Sequence, residues 1–254
     1  MLLVVDIGNT NITLGVFEEN NLIKTFRLNS DKNLSQNEYQ ALLKNLLKDY
    51  QISDCIIGSV VKELSDILKK ACDKIFEIDS FLFTTSDNCG LNIKLNNPNT
   101  LGIDRIANAI AAKQYYPLPI IVVDIGTATT FDIISDDGDF IGGIIMPGLN
   151  LQFDSLNSKT SKLPKITICD SKKAIGDSTK SALLSGVIRG SACAIEGLLK
   201  QCEIELGKKA TIIATGGHCE IISQYMQRSF DYINKDLTLD GLRILYNINK
   251  SSII

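Results

Sequence analysis

The sequence predicts an α/β fold made of two copies of one supersecondary unit. Val4-Val5-Asp6-Ile7-Gly8 returns as Val122-Val123-Asp124-Ile125-Gly126, identical at every position and offset by 118 (122 − 4). The same offset sets Asp136-Asp137-Gly138-Asp139 against the polar turn Glu18-Glu19-Asn20-Asn21, and Phe140-Ile141 on Leu22-Ile23. Short apolar runs alternate with segments of helical period along the chain, as they do in α/β domains. A repeated strand, loop, strand, turn and strand implies an internal duplication. The expected halves are residues 1–115 and 116–254, each a mixed β-sheet flanked by helices.

The elements follow in order. Leu2–Ile7 reads as a buried strand, Ile12–Phe17 as a second and Leu22–Leu28 as a third, the last two joined by a polar turn. Ser35 and Glu38 form a capping box. Tyr39, Leu42, Leu43, Leu46 and Leu47 then recur at helical spacing. Asp54–Val61 reads as a strand and Glu63–Ile75 as an amphipathic helix. Ser86–Thr100, rich in Asn, Pro and Gly, reads as a long loop. A helix is expected from Leu101 or Asp104 to Tyr115, ended by Pro117 and Pro119. After the repeated unit come a polar stretch (Asn157–Lys173) and a long helical region (Gly176–Leu206) interrupted by Gly186, Gly190 and Gly197. A strand, Thr211–Ala214, runs into Thr215-Gly216-Gly217, and a last helix spans about Leu239–Tyr246.

Composition narrows the function. Hydrophobic residues make up 44% of the 254 and charged residues 22%, which excludes a globally disordered chain. With 26 Lys+Arg against 29 Asp+Glu there is no basic excess, so nucleic acid is not an expected partner. The N-terminus lacks a positive n-region, and no apolar run approaches the roughly 20 residues of a membrane span, so neither signal peptide nor membrane is expected. The seven cysteines are odd in number and none is spaced C-x-x-C, which argues against a disulfide framework or zinc site and for a reducing, cytoplasmic compartment. Cys55 and Cys193 lie in apolar stretches and read as buried small hydrophobes. His218 is the only histidine, so chemistry built on a histidine pair is excluded.

Three places could carry chemistry. In Asp6-x-Gly8-Asn9-Thr10 a glycine after a buried strand lets the backbone approach a ligand. The following amides and side chains can donate to phosphate, and the acid can hold a divalent ion; an ordinary turn has the same sequence. Asp124-x-Gly126-Thr127-Ala128-Thr129-Thr130 is the duplicated copy, with hydroxyls that suit either a phosphate loop or a strand. Gly216-Gly217 permits close approach of a flat group such as adenosine, or simply a turn.

Two phosphate-type loops and a late glycine pair on duplicated hairpin-containing halves resemble the acetate and sugar kinase, Hsp70 and actin superfamily. That resemblance implies ribonuclease H-like (actin-like ATPase) domains with ATP between the halves. Leu95-Asn96-Asn97-Pro98-Asn99-Thr100-Leu101-Gly102-Ile103-Asp104-Arg105 resembles the N-P-x-x-L-G-x-D-R signature of type III pantothenate kinases. Ile141-Gly142-Gly143-Ile144-Ile145-Met146-Pro147-Gly148 and Ile175-Gly176-Asp177-Ser178-Thr179 resemble the same family, and all the motifs stand in its order across residues 1–217.

The resemblance implies ATP-dependent phosphorylation of pantothenate to 4'-phosphopantothenate, the first step of coenzyme A biosynthesis. Asp104 matches the proton acceptor. Gly102, Ile103, Asp104, Arg105 and Thr179 match pantothenate contacts. Asp6, Ile7, Gly8, Asn9, Thr10, Asn11, Ile12 and Thr13 match the first ATP loop and Thr127 a second ATP contact, with Gly216 and Gly217 near the nucleotide. Asp124 matches the aspartate that binds a monovalent cation (K⁺ or NH₄⁺), and Asp6 is expected to steer Mg²⁺. Family members are similar in being homodimers whose site uses both subunits. Leu95 departs from the pattern, standing where the family has a Tyr that lines the pantothenate pocket. Another small-molecule kinase of the superfamily is therefore the alternative enzyme, to be separated by a panel of acceptors. A non-catalytic nucleotide-binding regulator is the alternative outside catalysis, to be separated by nucleotide binding without turnover.

Overall fold

An apolar run closed by one acid places β1 (Leu2–Ile7) at the centre of a five-stranded sheet. This computed structural model describes residues 1–159, 163–164 and 166–253. The chain forms two units, Met1–Gln114 with Asp236–Ile254, and Tyr115–Lys235.

In the first unit β1 continues into an antiparallel meander with β2 (Asn11–Glu18) and β3 (Asn21–Asn29). On its other side it pairs in parallel with β4 (Asp54–Ser59), which pairs with β5 (Phe81–Leu82). Alternation along β1 sends Leu3, Val5 and Ile7 to one face. There they meet Tyr39 and Leu43 of α1 (Gln36–Leu47) and Leu64 and Leu68 of α2 (Lys62–Phe76). The Ser35–Glu38 capping box opens α1 as expected.

The opposite face is covered by α3 (Ile103–Tyr115) and by the C-terminal helix, α8 (Leu237–Ile253). Gly241 of α8 sits so close to the Ala107 carbonyl of α3 that a β-carbon would overlap it. Tyr246 donates to Asp54 of β4 at 2.6 Å, and Thr238 donates to Asn108 at 2.7 Å. The expected halves of 1–115 and 116–254 thus differ from the observed units at the C-terminus. The last helix joins the first unit because the β1–β4 face would otherwise stay bare.

The second unit repeats the plan with β6 (Ile120–Ile125), β7 (Ala128–Ile134), β8 (Phe140–Pro147), β9 (Thr211–Thr215) and β10 (Tyr232–Ile233). The sheets run β3-β2-β1-β4-β5 and β10-β9-β6-β7-β8, the second being the first read in reverse. Asp6 faces Thr13 where Asp124 faces Thr130, so the offset drops to 117 (130 − 13) across the first hairpin, whose loop is one residue shorter in the second copy. Both copies carry a bulge at the equivalent place, Val16/Phe17 and Ile133/Ile134. A shared irregularity is what duplication of a folded unit would leave.

Ile121, Val123 and Ile125 pack against Phe153 of α4 (Leu149–Lys159) and against the long helix that follows. That helix comprises α5 (Thr179–Leu184), a π turn at Ser185–Arg189 and α6 (Gly190–Leu206). A short helix, α7 (Cys219–Ser223), follows β9. Four features depart from the expectation. The helix Leu149–Lys159 falls where no element was read. Gly190 and Gly197 lie in helix rather than breaking it, whereas Gly186 falls within the π turn that does interrupt the α-helix. Cys193 is exposed, not buried, because it shares the outer side of α6 with those glycines. Thr179–Leu206 is long and apolar enough to cross a membrane by length and composition alone; its Leu184, Val187, Ile188, Ala192, Ile195 and Leu199 lie in the second core.

Glu203, near the end of α6, ties the base of this unit together. It accepts from Arg228 at 2.8 Å, Lys209 at 2.9 Å and the Ala210 amide at 3.2 Å. Burial favours its neutral form, but these three partners outweigh burial and bring its pKa from 4.5 down to about 2. The stability this confers is full above pH 4.5 and is lost as pH falls toward 2. We expect Glu203→Gln to cost about 3 kcal/mol at neutral pH, from the size of the shift, and to flatten the acid limb of a urea-unfolding series. An unchanged acid limb would contradict this role.

Candidate active site

Asp104 opens α3. The Gly102 carbonyl accepts the first helical bond, from the Ile106 amide at 3.1 Å, which makes Gly102 the cap and puts Asp104 in the first turn, where the helix dipole favours a carboxylate. A β-carbon on Gly102 would overlap Asp104 Oδ1, so the carboxylate occupies space that only glycine leaves. Burial raises the Asp104 carboxyl above its ordinary 3.8, while the Arg105 amide (2.8 Å to Oδ1) and guanidinium pull the other way without cancelling it. A carboxylate raised in this way is a better proton acceptor than a solvated one.

Asp6 lies in register with Thr13 on one side and Gly58 on the other. Gly58 has no side chain because Leu242 of α8 and Ile103 of α3 close over it; a β-carbon would stand 2.5 Å from Leu242 Cδ2 and 3.0 Å from Ile103 Cγ2. The residue before Asp104 therefore seats on the strand position beside Asp6. Sequence reading missed Gly58, although a glycine inside the apolar run Cys55-Ile56-Ile57-Gly58 is a signal of close approach. The loop after β1 is held by the Gly8 amide to Asn11 O (2.9 Å), Ser30 Oγ to Gly8 O (2.6 Å) and the Ser30 amide to Thr10 O (3.0 Å). Asn9 and Thr10 remain exposed.

The second unit builds the counterpart. Asp124 is in register with Thr130 of β7 and Thr215 of β9, so two hydroxyl residues flank it. Gly216 has φ of +87°, and a β-carbon there would overlap Asp124 Oδ1. Gly148 closes on the Gly126 and Thr127 carbonyls in the same way, and its amide donates to Thr127 O at 3.1 Å. The His218 amide donates to Ile125 O at 3.1 Å, which turns the Gly216-Gly217 segment over the end of β6. Asp124, Thr127, Gly216 and Gly217 are thus brought together. Thr129 is buried in β7 and Thr127 is exposed at the tip.

The other expected residues stand elsewhere in their units. Leu95 is half-buried in the irregular segment before a 3₁₀ turn at Pro98–Thr100. Thr179 is the first residue of α5, after a capping box made by Ser178 and Ser181. It lines a groove of about 480 Å³ with Gln152, Leu156, Leu163 and Gly186.

Among the described residues no three His, Cys, Asp or Glu side chains cluster as a metal cage. Asp6, at the end of β1, offers one carboxylate that could hold a hard cation together with phosphate oxygens and water, as Mg²⁺ usually is held. Gly216 lets Asp124 Oδ1 and the Ile125 backbone pack against it, with Thr130 and Thr215 as the strand neighbours of Asp124. Gly216→Ala is expected to strain a backbone held at φ of +87° and press on Asp124 and the Ile125 backbone, and so to lower kcat/KM about tenfold or more with an unchanged circular dichroism spectrum. Full activity in that variant would show that this close approach is dispensable.

Comparison with known proteins identifies the family. The family model of type III pantothenate kinase matches residues 2–201. A type III pantothenate kinase of Dehalococcoides mccartyi is 40% identical over 254 residues, covering 98% of this chain and 96% of the relative. One of Bacillus cytotoxicus is 38% identical, with 98% and 97% covered. Among solved structures, MreB 5 of Spiroplasma citri bound to AMPPNP superposes with a TM-score of 0.55 at 13% identity, covering 99% of this chain and 97% of that one. This last likeness shows the fold, the duplicated actin-like architecture. With a matching family model and near-full-length relatives at about two-fifths identity, the chain belongs to the type III pantothenate kinase family.

Proposed function

We propose that this chain transfers the terminal phosphate of ATP to the primary hydroxyl of pantothenate, the first step of coenzyme A biosynthesis, with Asp104 as proton acceptor. The observation that carries the reading is the Asp104 carboxylate, raised by burial, seated in the gap left by Gly102 at the head of α3.

Phosphoryl transfer needs alignment and charge compensation more than covalent help from the protein. Asp104 takes the hydroxyl proton as the oxygen moves onto phosphorus. Arg105 supplies a fixed cation for the pantothenate carboxylate or the moving phosphoryl group. Gly102, Ile103 and Thr179 complete the acceptor contacts, and Leu95 gives the acceptor an aliphatic wall. Asp6 through Thr13 and Thr127 supply phosphate contacts, and Gly216 and Gly217 lie against the nucleoside. Asp6 would hold Mg²⁺, which when bound neutralises phosphate charge. Asp124 would hold K⁺ or NH₄⁺, which adds a further positive charge near the nucleotide. Seven free cysteines accord with work in the cytoplasm.

The proposed assembly is a homodimer. Ala182, Gly186, Gly190, Cys193 and Gly197 are exposed at helical spacing along one side of α5–α6, and beyond its own helix backbone and chain neighbours no described atom lies within 4 Å of a β-carbon built on any of the three glycines. A face of small residues allows a second helix to approach closely.

Asp104→Asn is expected to lower ADP formation with pantothenate by about 10²-fold or more. Its stability at neutral pH should equal or exceed that of the parent. The folded chain binds the Asp104 proton more tightly than the unfolded chain, so ionised Asp104 costs stability at high pH. In the parent, kcat/KM should fall on the acid side with an apparent pKa above 3.8, a limb that the variant lacks. A rate within threefold of the parent would rule out the proton-acceptor role. A panel of acceptors including sugars and acyl acids should show pantothenate as the preferred one; preference for another acceptor would assign a different kinase. For the assembly, light scattering should give a dimer at micromolar concentration and a monomer for Gly190→Glu. A monomeric parent would refute the dimer.

A further inference from the structure

The segment before Thr179 has no regular secondary structure, yet it is tied down at two points by one turn of helix. Arg189 closes the π turn. Its Nη2 donates to Ser171 O at 2.6 Å and its Nε to Ser171 Oγ at 3.3 Å. Its guanidinium lies 4.6 Å from the centre of the Tyr225 ring. The Tyr225 hydroxyl accepts from the Ser171 amide at 2.7 Å and donates to Asp170. Ser171 is consequently buried although it sits in a loop. One turn earlier, Ser185 Oγ donates to Ala174 O at 2.6 Å. Ser185 and Arg189 bracket the π turn, whose extra residue alters the direction in which following side chains leave the helix.

The chain then has little freedom before Thr179. Gly176 packs on the first turn of α5, where a β-carbon would overlap the Ala182 amide. Asp177 takes Lys173 at 2.8 Å and Ser181 at 3.1 Å, and Ser178 caps the helix. From Ser171 to Thr179 the chain is held at a series of points, and the one at its start is the Arg189–Tyr225 stack.

We propose that Arg189, seated on Tyr225, is a positioning residue. It anchors the 171–178 segment and so sets where Thr179 stands in the acceptor groove. The proposal rests on the reading of Thr179 as a pantothenate contact for its kinetic consequence, but not for the anchoring itself. Lysine is not an equivalent, because it lacks the planar fork that reaches Ser171 O and Oγ together while stacking on a ring.

Two variants and two readouts test this. Arg189→Met removes the fork, and Tyr225→Phe keeps the ring while removing the hydroxyl that receives the Ser171 amide. Lys172 and Lys173 are exposed within the anchored segment, so trypsin cleavage after them, followed by mass spectrometry, reports release directly. Arg189→Met should speed that cleavage about tenfold, as expected for loss of a charge-assisted hydrogen bond, with the thermal midpoint shifted by only a few degrees. Tyr225→Phe should speed it less. The KM for pantothenate should rise about fivefold to tenfold by the same reasoning, with the KM for ATP unchanged, and Arg189→Lys should restore neither value. Cleavage within twofold of the parent in both variants would overturn the anchoring. Faster cleavage with both KM values unchanged, or raised together, would overturn its link to Thr179. Should the parent show no turnover of pantothenate, the functional reading fails, and the cleavage readout still decides whether Arg189 anchors the segment.

Discussion

Close approach by glycine is the constraint on which this structure depends. Two of the carboxylates singled out for chemistry occupy volume that a β-carbon would take: Asp104 against Gly102, and Asp124 against Gly216. A third glycine, Gly58, lets α3 and α8 close on the strand position beside Asp6. At Asp104 burial raises the proton affinity of the carboxyl, and the close fit against Gly102 fixes its aim. The fold supplies the wedge cheaply, because each glycine lies at an element end or beside a helix crossing, where a missing side chain costs little packing.

The duplication explains why such sites occur in pairs, and the differences between copies explain why they are not alike. Each central strand ends in Asp-Ile-Gly, and each sheet places an antiparallel hairpin on one side and parallel strands on the other. The first hairpin loop is longer by one residue and carries exposed Asn9 and Thr10; the second is shorter and is pinned by Gly148. The parallel neighbour of Asp6 is a glycine, whereas that of Asp124 is the hydroxyl-bearing Thr215. The two carboxylates thus have different strand neighbours: beside Asp6 a glycine under Leu242 and Ile103, beside Asp124 a threonine.

Much of this was legible in the sequence. Five identical residues at one offset located both central strands, and Ser35 with Glu38 located the first helix start, because those signals are local and tied to backbone geometry. The membership of the C-terminal helix was not legible: Gly241, Arg243 and Tyr246 make sense only once Ala107, Asn20 and Asp54 are seen beside them, far away in sequence. Cys193 misled because an apolar neighbourhood in sequence does not say which side of a helix faces the core. The π turn at Ser185–Arg189 was hidden for a related reason, since its purpose lies in the loop it grips and not in its own residues. At the site, Asp104 was named from its motif, but the role of Gly102 as its wedge needed coordinates.

The central claim is that Gly102 matters through Asp104, and a double-variant cycle in kcat/KM tests it most directly. If the glycine serves to seat the carboxylate, Gly102→Ala lowers kcat/KM in the parent and has no further effect, within about twofold, once Asp104→Asn is present. If the two losses multiply, the glycine acts independently of the carboxylate and the wedge is not what prepares this site.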